Sequence, residues 1–117
     1  MNTAELKQLA QTWIHAWNTG DIKTIMGYYA EDVELHSPFV TKRWNIAEGK
    51  LSGKQKIQEH FVKAFEASPE RNLDLVEILS GVNSFIVVYR NKSNNASADL
   101  IELNTDGKVK LVRSFYS

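Results

Sequence analysis

No cysteine occurs in the 117 residues, which excludes disulfides, thiol catalysis and cysteine-held metal, and is compatible with a reducing compartment. Charge of either sign is not in excess. Lys and Arg number 14 and Asp and Glu number 14, and no basic block is present that would neutralise a nucleic-acid backbone. Nucleic acid is therefore not an expected partner. No hydrophobic window reaches the length of a membrane span, and the first residues, MNTAELKQLAQ, lack a basic segment followed by an apolar run. A soluble, cytoplasmic protein without membrane contact is the expectation. No internal repeat is visible, and a chain of this length makes one domain, residues 1–117, with one core.

Leu6, Leu9, Ala10, Trp13, Ile14 and Trp17 recur at the three- and four-residue spacing of one helical face. Asn2 or Thr3 can cap that helix, with Glu5 completing a capping box, and Gly20 ends it. Asp21 then caps a second helix through Ile22, Ile25, Met26 and Tyr29. From Asp32 the period becomes two, Val33 and Leu35 opposing Glu34 and His36, until Pro38 ends a short strand. Residues 39–51 read as a loop containing Trp44. Ser52 and Gln55 resemble a capping box for a third helix, whose apolar face is Ile57, Phe61, Ala64 and Phe65 and which stops near Ser68-Pro69. Four strands follow, over 72–79, 84–91, 97–104 and 108–116, separated by turn-forming clusters that include SNN at 93–95 and Asp106-Gly107. Short turns between them predict an antiparallel meander.

Helices followed by a meander predict an α+β domain with the helices on one face of a curved sheet. Phe85, Val87 and Tyr89 alternate with Ile86 and Val88, so one strand is apolar on both faces. Either a second subunit covers the outer face or the sheet curls enough to bury both sides; the homodimer is the expectation.

The segments HAWNTGDIKTIMGYYAEDVELHSP, LSGKQKIQEHFVKAF and ADLIELNTDGKVKLVRSFYS resemble the nuclear transport factor 2-like superfamily, within it the SnoaL-like and ketosteroid isomerase-like branch. That resemblance implies a cone-shaped, curved and mostly antiparallel sheet against three N-terminal helices, a cystatin-like α+β fold. It also implies a pocket between helices and sheet and dimerisation through the outer sheet face. Activity does not follow, since relatives include isomerases, cyclases, dehydratases, hydrolases and non-catalytic association modules. The isomerases place their general base just before the strand-ending proline, where this chain has Ser37. Their oxyanion hole matches Trp13 and Asp99, and Trp13 offers an N–H in place of an ionisable hydroxyl. Tyr29 matches a supporting tyrosine, and Phe61 replaces another. Steroid isomerase chemistry is not expected from this set.

His36 could act as base or acid near neutral pH, or be a half-exposed strand histidine. Adjacent strand residues face opposite ways, so His36 cannot serve Ser37 as a nucleophile. Asp99 shares parity with Ile101 and Leu103 and is either a buried pocket carboxyl with a raised pKa or an edge carboxylate paired with Arg90 or Arg113. Trp13, Trp17, Tyr29, Ser37, Phe61 and Tyr116 are the candidate pocket lining, the aromatics equally readable as core. His60 could face either way. The spacings of His15, His36 and His60 match no metal signature, and neither metal nor cofactor is expected. The expected function is binding of a small apolar or amphipathic organic molecule without assigned chemistry. The alternative is an acid–base enzyme, isomerase, cyclase or dehydratase-like, using His36 and Asp99. A protein-trafficking role is a third reading for which no residue speaks.

Overall fold

The computed structural model describes residues 2–117. Among them are four helices, α1 (Thr3–Thr19), α2 (Ile22–Gly27), α3 (Pro38–Trp44) and α4 (Lys54–Ala67). Six strands complete the fold: β1 (Tyr29–His36), β2 (Lys50–Ser52), β3 (Asp74–Gly81), β4 (Ser84–Arg90), β5 (Ala96–Leu103) and β6 (Val109–Tyr116). The strands form one sheet in the order β2-β1-β6-β5-β4-β3. Consecutive strands from β3 to β6 pair antiparallel, as the short turns require, whereas β1 runs parallel to β6. Register shifts in β1, β3 and β5 interrupt the ladders, and such bulges bend and twist a sheet. The curved sheet thus wraps the helices on its inner face.

The start of α1 is built as its sequence dictates. Asn2 accepts from the Glu5 N–H at 2.8 Å, and the Glu5 carboxylate accepts from the Asn2 N–H at 3.4 Å. Gly20, at φ 69°, turns the chain out of the helix while its N–H donates to the carbonyls of Ala16 and Trp17. Asp21 caps α2, accepting from Thr24 N–H at 3.1 Å and from its hydroxyl at 2.6 Å. Leu6, Ala10, Trp13 and Ile14 are buried against the sheet with Ile25, Met26, Val33, Ile57 and Val87. Asn18 fastens the end of α1 to the approach of β3. Its amide donates to the Leu73 carbonyl at 3.0 Å and accepts from the Leu73 N–H at 2.7 Å.

Three expectations are corrected. Tyr29 opens β1 and is not the last turn of α2, which is only six residues long; its spacing from Ile25 fits a helix, but pairing with β6 near Val109 takes precedence. Residues 39–51 are not a loop. Ser37 caps α3, its Oγ accepting from Phe39 N–H at 3.2 Å, and Pro38 occupies the first turn, where its missing N–H costs nothing. Lys50–Ser52 then adds β2 to the edge of β1. Finally, α4 is capped by Gly53 with no side-chain bond, so Ser52 does not form a capping box. The tight corner between α3 and β2 requires Gly49, at φ 65°, because a Cβ there would stand 3.0 Å from the Ser37 carbonyl oxygen. Among the described residues no helix is long and apolar enough to cross a membrane.

Candidate functional site

Between the helices and the inner face of the sheet lies a cavity of about 410 Å³. Every layer of the fold contributes to it: Trp13 and Trp17 from α1, Tyr29, Leu35 and Ser37 from β1, Phe39 and Arg43 from α3, and His60 and Phe61 from α4. Arg71 reaches it from the segment before β3, and Tyr89, Asp99, Ser114 and Tyr116 from β4, β5 and β6. Alternation along each strand explains the selection. Tyr89 follows the buried Phe85 and Val87 at intervals of two, as Asp99 precedes Ile101 and Ser114 follows Val112.

The aromatic wall is continuous. Trp17 meets Phe61 edge-on with centroids 4.8 Å apart and stacks on Phe65 at 5.1 Å, while Trp13 bridges Trp17 and Tyr89 at 5.9 and 6.2 Å. Phe39 and Tyr116, 43% and 42% exposed and 4.8 Å apart, mark the open side.

The polar groups are few and placed deep. Asp99 is 4% exposed, so its environment is that of the interior. The Tyr89 hydroxyl donates to its Oδ2 at 3.4 Å, and its Oδ1 is buried without a hydrogen-bond partner. Burial pushes the Asp99 carboxyl up to about 6, against the opposing pull of the Ser114 and Tyr89 hydroxyls. Burial, reinforced by the Asp99 carboxylate, also raises the phenols of Tyr29 and Tyr89, which therefore remain neutral donors. Among the described residues Asp99 forms no ion pair, and Arg90 and Arg113, its imagined partners, are both exposed.

His60, whose orientation the sequence left open, faces inward and is buried. Its Nδ1 accepts from Trp44 Nε1 at 3.0 Å and lies 3.3 Å from Arg43 Nη1. Both neighbours can only donate, which assigns the neutral tautomer with its proton on Nε2. Burial and then the Arg43 charge hold the imidazole down at about 4. The folded pKa lies below the ordinary 6.5, so the stability that neutral His60 confers is complete above pH 6.5 and is lost as pH falls through 4. In a proton NMR titration the His60 ring signals are expected to stay at the neutral position at pH 5; a midpoint near 6.5 would contradict this environment.

The structure gathers Trp13, Trp17, Tyr29, Ser37, Phe61, Asp99 and Tyr116 around one cavity and leaves His36 outside it. Parity sends Leu35 and Ser37 inward and His36 to the outer face, where its Nε2 lies 3.8 Å from Glu34 Oε2. The expected partnership of His36 with Asp99 is therefore not formed. Ser37 spends its hydroxyl oxygen on capping α3. Among the described residues no three of His, Cys, Asp and Glu converge as a metal site would require. Sequence reasoning missed Tyr89, Ser114, Arg43 and Arg71. Tyr89 and Ser114 left a signal, through their parity with Val87 and Val112.

A family model described as the SnoaL-like domain matches residues 10–112. The chain belongs to the SnoaL-like family. Its fold superposes with a TM-score of 0.93 on a SnoaL-like protein of unknown function from Burkholderia thailandensis, at 25% identity over 99% of this chain and 97% of that one. A candidate isomerase of the SnoaL-like family from Agrobacterium tumefaciens gives a TM-score of 0.73 at 21% identity, covering 94% and 95% of the two chains. The epoxide hydrolase/cyclase-like enzyme SalBIII, of pyran ring formation in salinomycin, gives 0.75 at 16% identity over 99% and 93%. At such identities these two likenesses concern the fold alone. No curated protein matches this SnoaL-like domain by sequence.

Proposed function

We propose that this SnoaL-like domain binds a small amphipathic organic molecule in the inner cavity and holds one of its polar groups at Asp99. The observation that carries this reading is the Asp99 Oδ1 atom, buried without a partner at the wall of an aromatic-lined cavity. An unpaired buried acceptor costs about 1–3 kcal/mol, more when charged, so a ligand that brings a donor to Oδ1 would offset that cost. The aromatic walls supply the apolar contact that small-molecule sites use. The test is a fragment screen of hydroxylated aromatic compounds, followed by the indole N–H signals of Trp13 and Trp17. Binders are expected to shift both signals in the wild type and to lose affinity in Asp99→Leu. If no fragment moves either indole, the reading fails.

A second reading, acid–base catalysis on the bound molecule, is favoured by the Asp99 carboxyl at about 6, close enough to neutrality to exchange a proton. Asp99 with Tyr89 would carry it; His36, on the outer face, takes no part.

We also infer that the outer face of the sheet pairs with a second copy of the chain. Val88, Ala98 and Phe115 stand in one cross-strand row and Leu79, Ile86 and Leu100 in the next, with Phe115 55% exposed. A contiguous apolar surface of this kind favours burial against a partner. Light scattering is expected to give a dimer for the wild type and a monomer for Phe115→Glu; a monomeric wild type would remove the proposal.

A further inference from the structure

Two arginines from separate parts of the chain converge on the cavity, apart from the Asp99 carboxyl. Arg43 comes from α3 and Arg71 from the segment between α4 and β3. Neither forms an ion pair with a carboxylate among the described residues. Arg71 is held in place from one side: its guanidinium lies 5.4 Å from the Trp17 ring centre and 4.9 Å from that of Phe65, and Nη2 donates to the Ala64 carbonyl at 3.3 Å. Its Nε is buried and has no acceptor. Arg43 directs Nη1 toward the neutral His60 at 3.3 Å, which offers no negative charge. The one carboxyl on the described lining, Asp99, is hydrogen-bonded to Tyr89 and pairs with neither arginine.

We propose that the ligand is an organic anion, its carboxylate or an equivalent oxyanion seated between Arg43 and Arg71 and its apolar body against Trp17 and Phe61. This inference rests on the small-molecule reading of the same cavity and narrows its chemistry. Two cations facing one confined space repel each other, and an incoming anion converts that repulsion into two charge-assisted contacts. Arginine suits this task because its planar fork matches a carboxylate and its faces stack on aromatic rings, as Arg71 does on Trp17 and Phe65. The ligand is then polarised along the cavity, with its charge at the arginines and a hydrogen-bonding group toward Asp99.

The test uses two probes of nearly identical shape, 2-naphthoate and 2-naphthamide, titrated into the full chain and followed by the Trp17 indole N–H signal. Naphthoate is expected to bind at least about 10-fold more tightly at low salt, an advantage of the size one charge-assisted contact gives. Arg71→Gln and Arg43→Gln should each weaken naphthoate by about 10-fold while leaving naphthamide within about 2-fold, with Arg71→Lys in between. If Arg71→Gln does not fold, because its stack on Trp17 is lost, Arg43→Gln decides by the same criterion. Equal affinity for the two probes, or a ratio that both glutamine variants leave unchanged, overturns the anion inference and leaves small-molecule binding standing. Binding of neither probe at about 5 mM, near the weakest affinity such contacts give, overturns the inference and counts against the cavity reading as well.

Discussion

Asp99→Asn is expected to raise the melting temperature at pH 8 by on the order of 10 °C, the equivalent of about 3 kcal/mol for a domain of this size. The carboxyl is 4% exposed and its folded pKa of about 6 stands above the ordinary 3.8. Such a group binds its proton more tightly folded than unfolded. Its contribution to stability is therefore most favourable below pH 3.8 and is lost as pH rises through 6. At pH 8 the wild type holds a buried carboxylate with one oxygen unpaired, and asparagine removes the charge while keeping the shape. The advantage should fade as pH falls from about 6 and be gone below about 4, where the carboxyl is neutral in the folded and unfolded chain alike. Thermal melts of both proteins at pH 8 and pH 3.5 decide the matter. Equal melting temperatures at pH 8, or a gain that persists unchanged in acid, would contradict the burial of a titrating Asp99. A gain confined to high pH would show a residue kept at a cost in stability, as functional groups often are.

Trp13→Ala should destabilise the fold by about 3–5 kcal/mol, the usual cost of truncating a buried aromatic to alanine. Trp13 is 7% exposed and touches Trp17 and Tyr89. It also forms the wall between the main cavity and a smaller void of about 30 Å³ lined by Leu9, Phe85 and Ile101. Without the indole the two spaces merge, and the rigid sheet on one side leaves little room for collapse. Trp13→Phe keeps an aromatic ring in the gap, so a smaller loss of about 1–2 kcal/mol is expected. Urea unfolding of the pair separates the loss of the whole ring from the loss of part of its volume. A cost below about 1 kcal/mol for the alanine variant would mean that the helices close over the gap.

The parity of Asp99 with the apolar Ile101 and Leu103 pointed to the more apolar face, but parity alone left open an edge carboxylate paired with Arg90 or Arg113. That same rule applied to β1 excludes His36 once Leu35 is known to be buried; the sequence shows the alternation but does not say which side faces the helices. Arg43 and Arg71 were invisible as site residues. Arg43 sits in a helix of two turns and Arg71 in an irregular segment, both too short for their apolar positions to show a period, so no local pattern aims their side chains. His60 lies next to the apolar Phe61 on α4, at the margin of the stripe, where one helical position decides between solvent and interior.

By itself the sequence determined the helix that ends at Gly20, the helix capped at Asp21, the meander and the family, because caps, periodicity and turn chemistry act between residues close in the chain. It also showed Asp99 as an acid among apolar neighbours. Only the tertiary structure decided that β1 lies parallel to β6, that α3 and β2 close one side of the cavity, and that Asp99, Tyr89, His60, Arg43 and Arg71 share one space. Those relations join segments far apart in the chain, and they are settled by how a bulged, twisted sheet wraps its helices, a property of the whole assembly of strands.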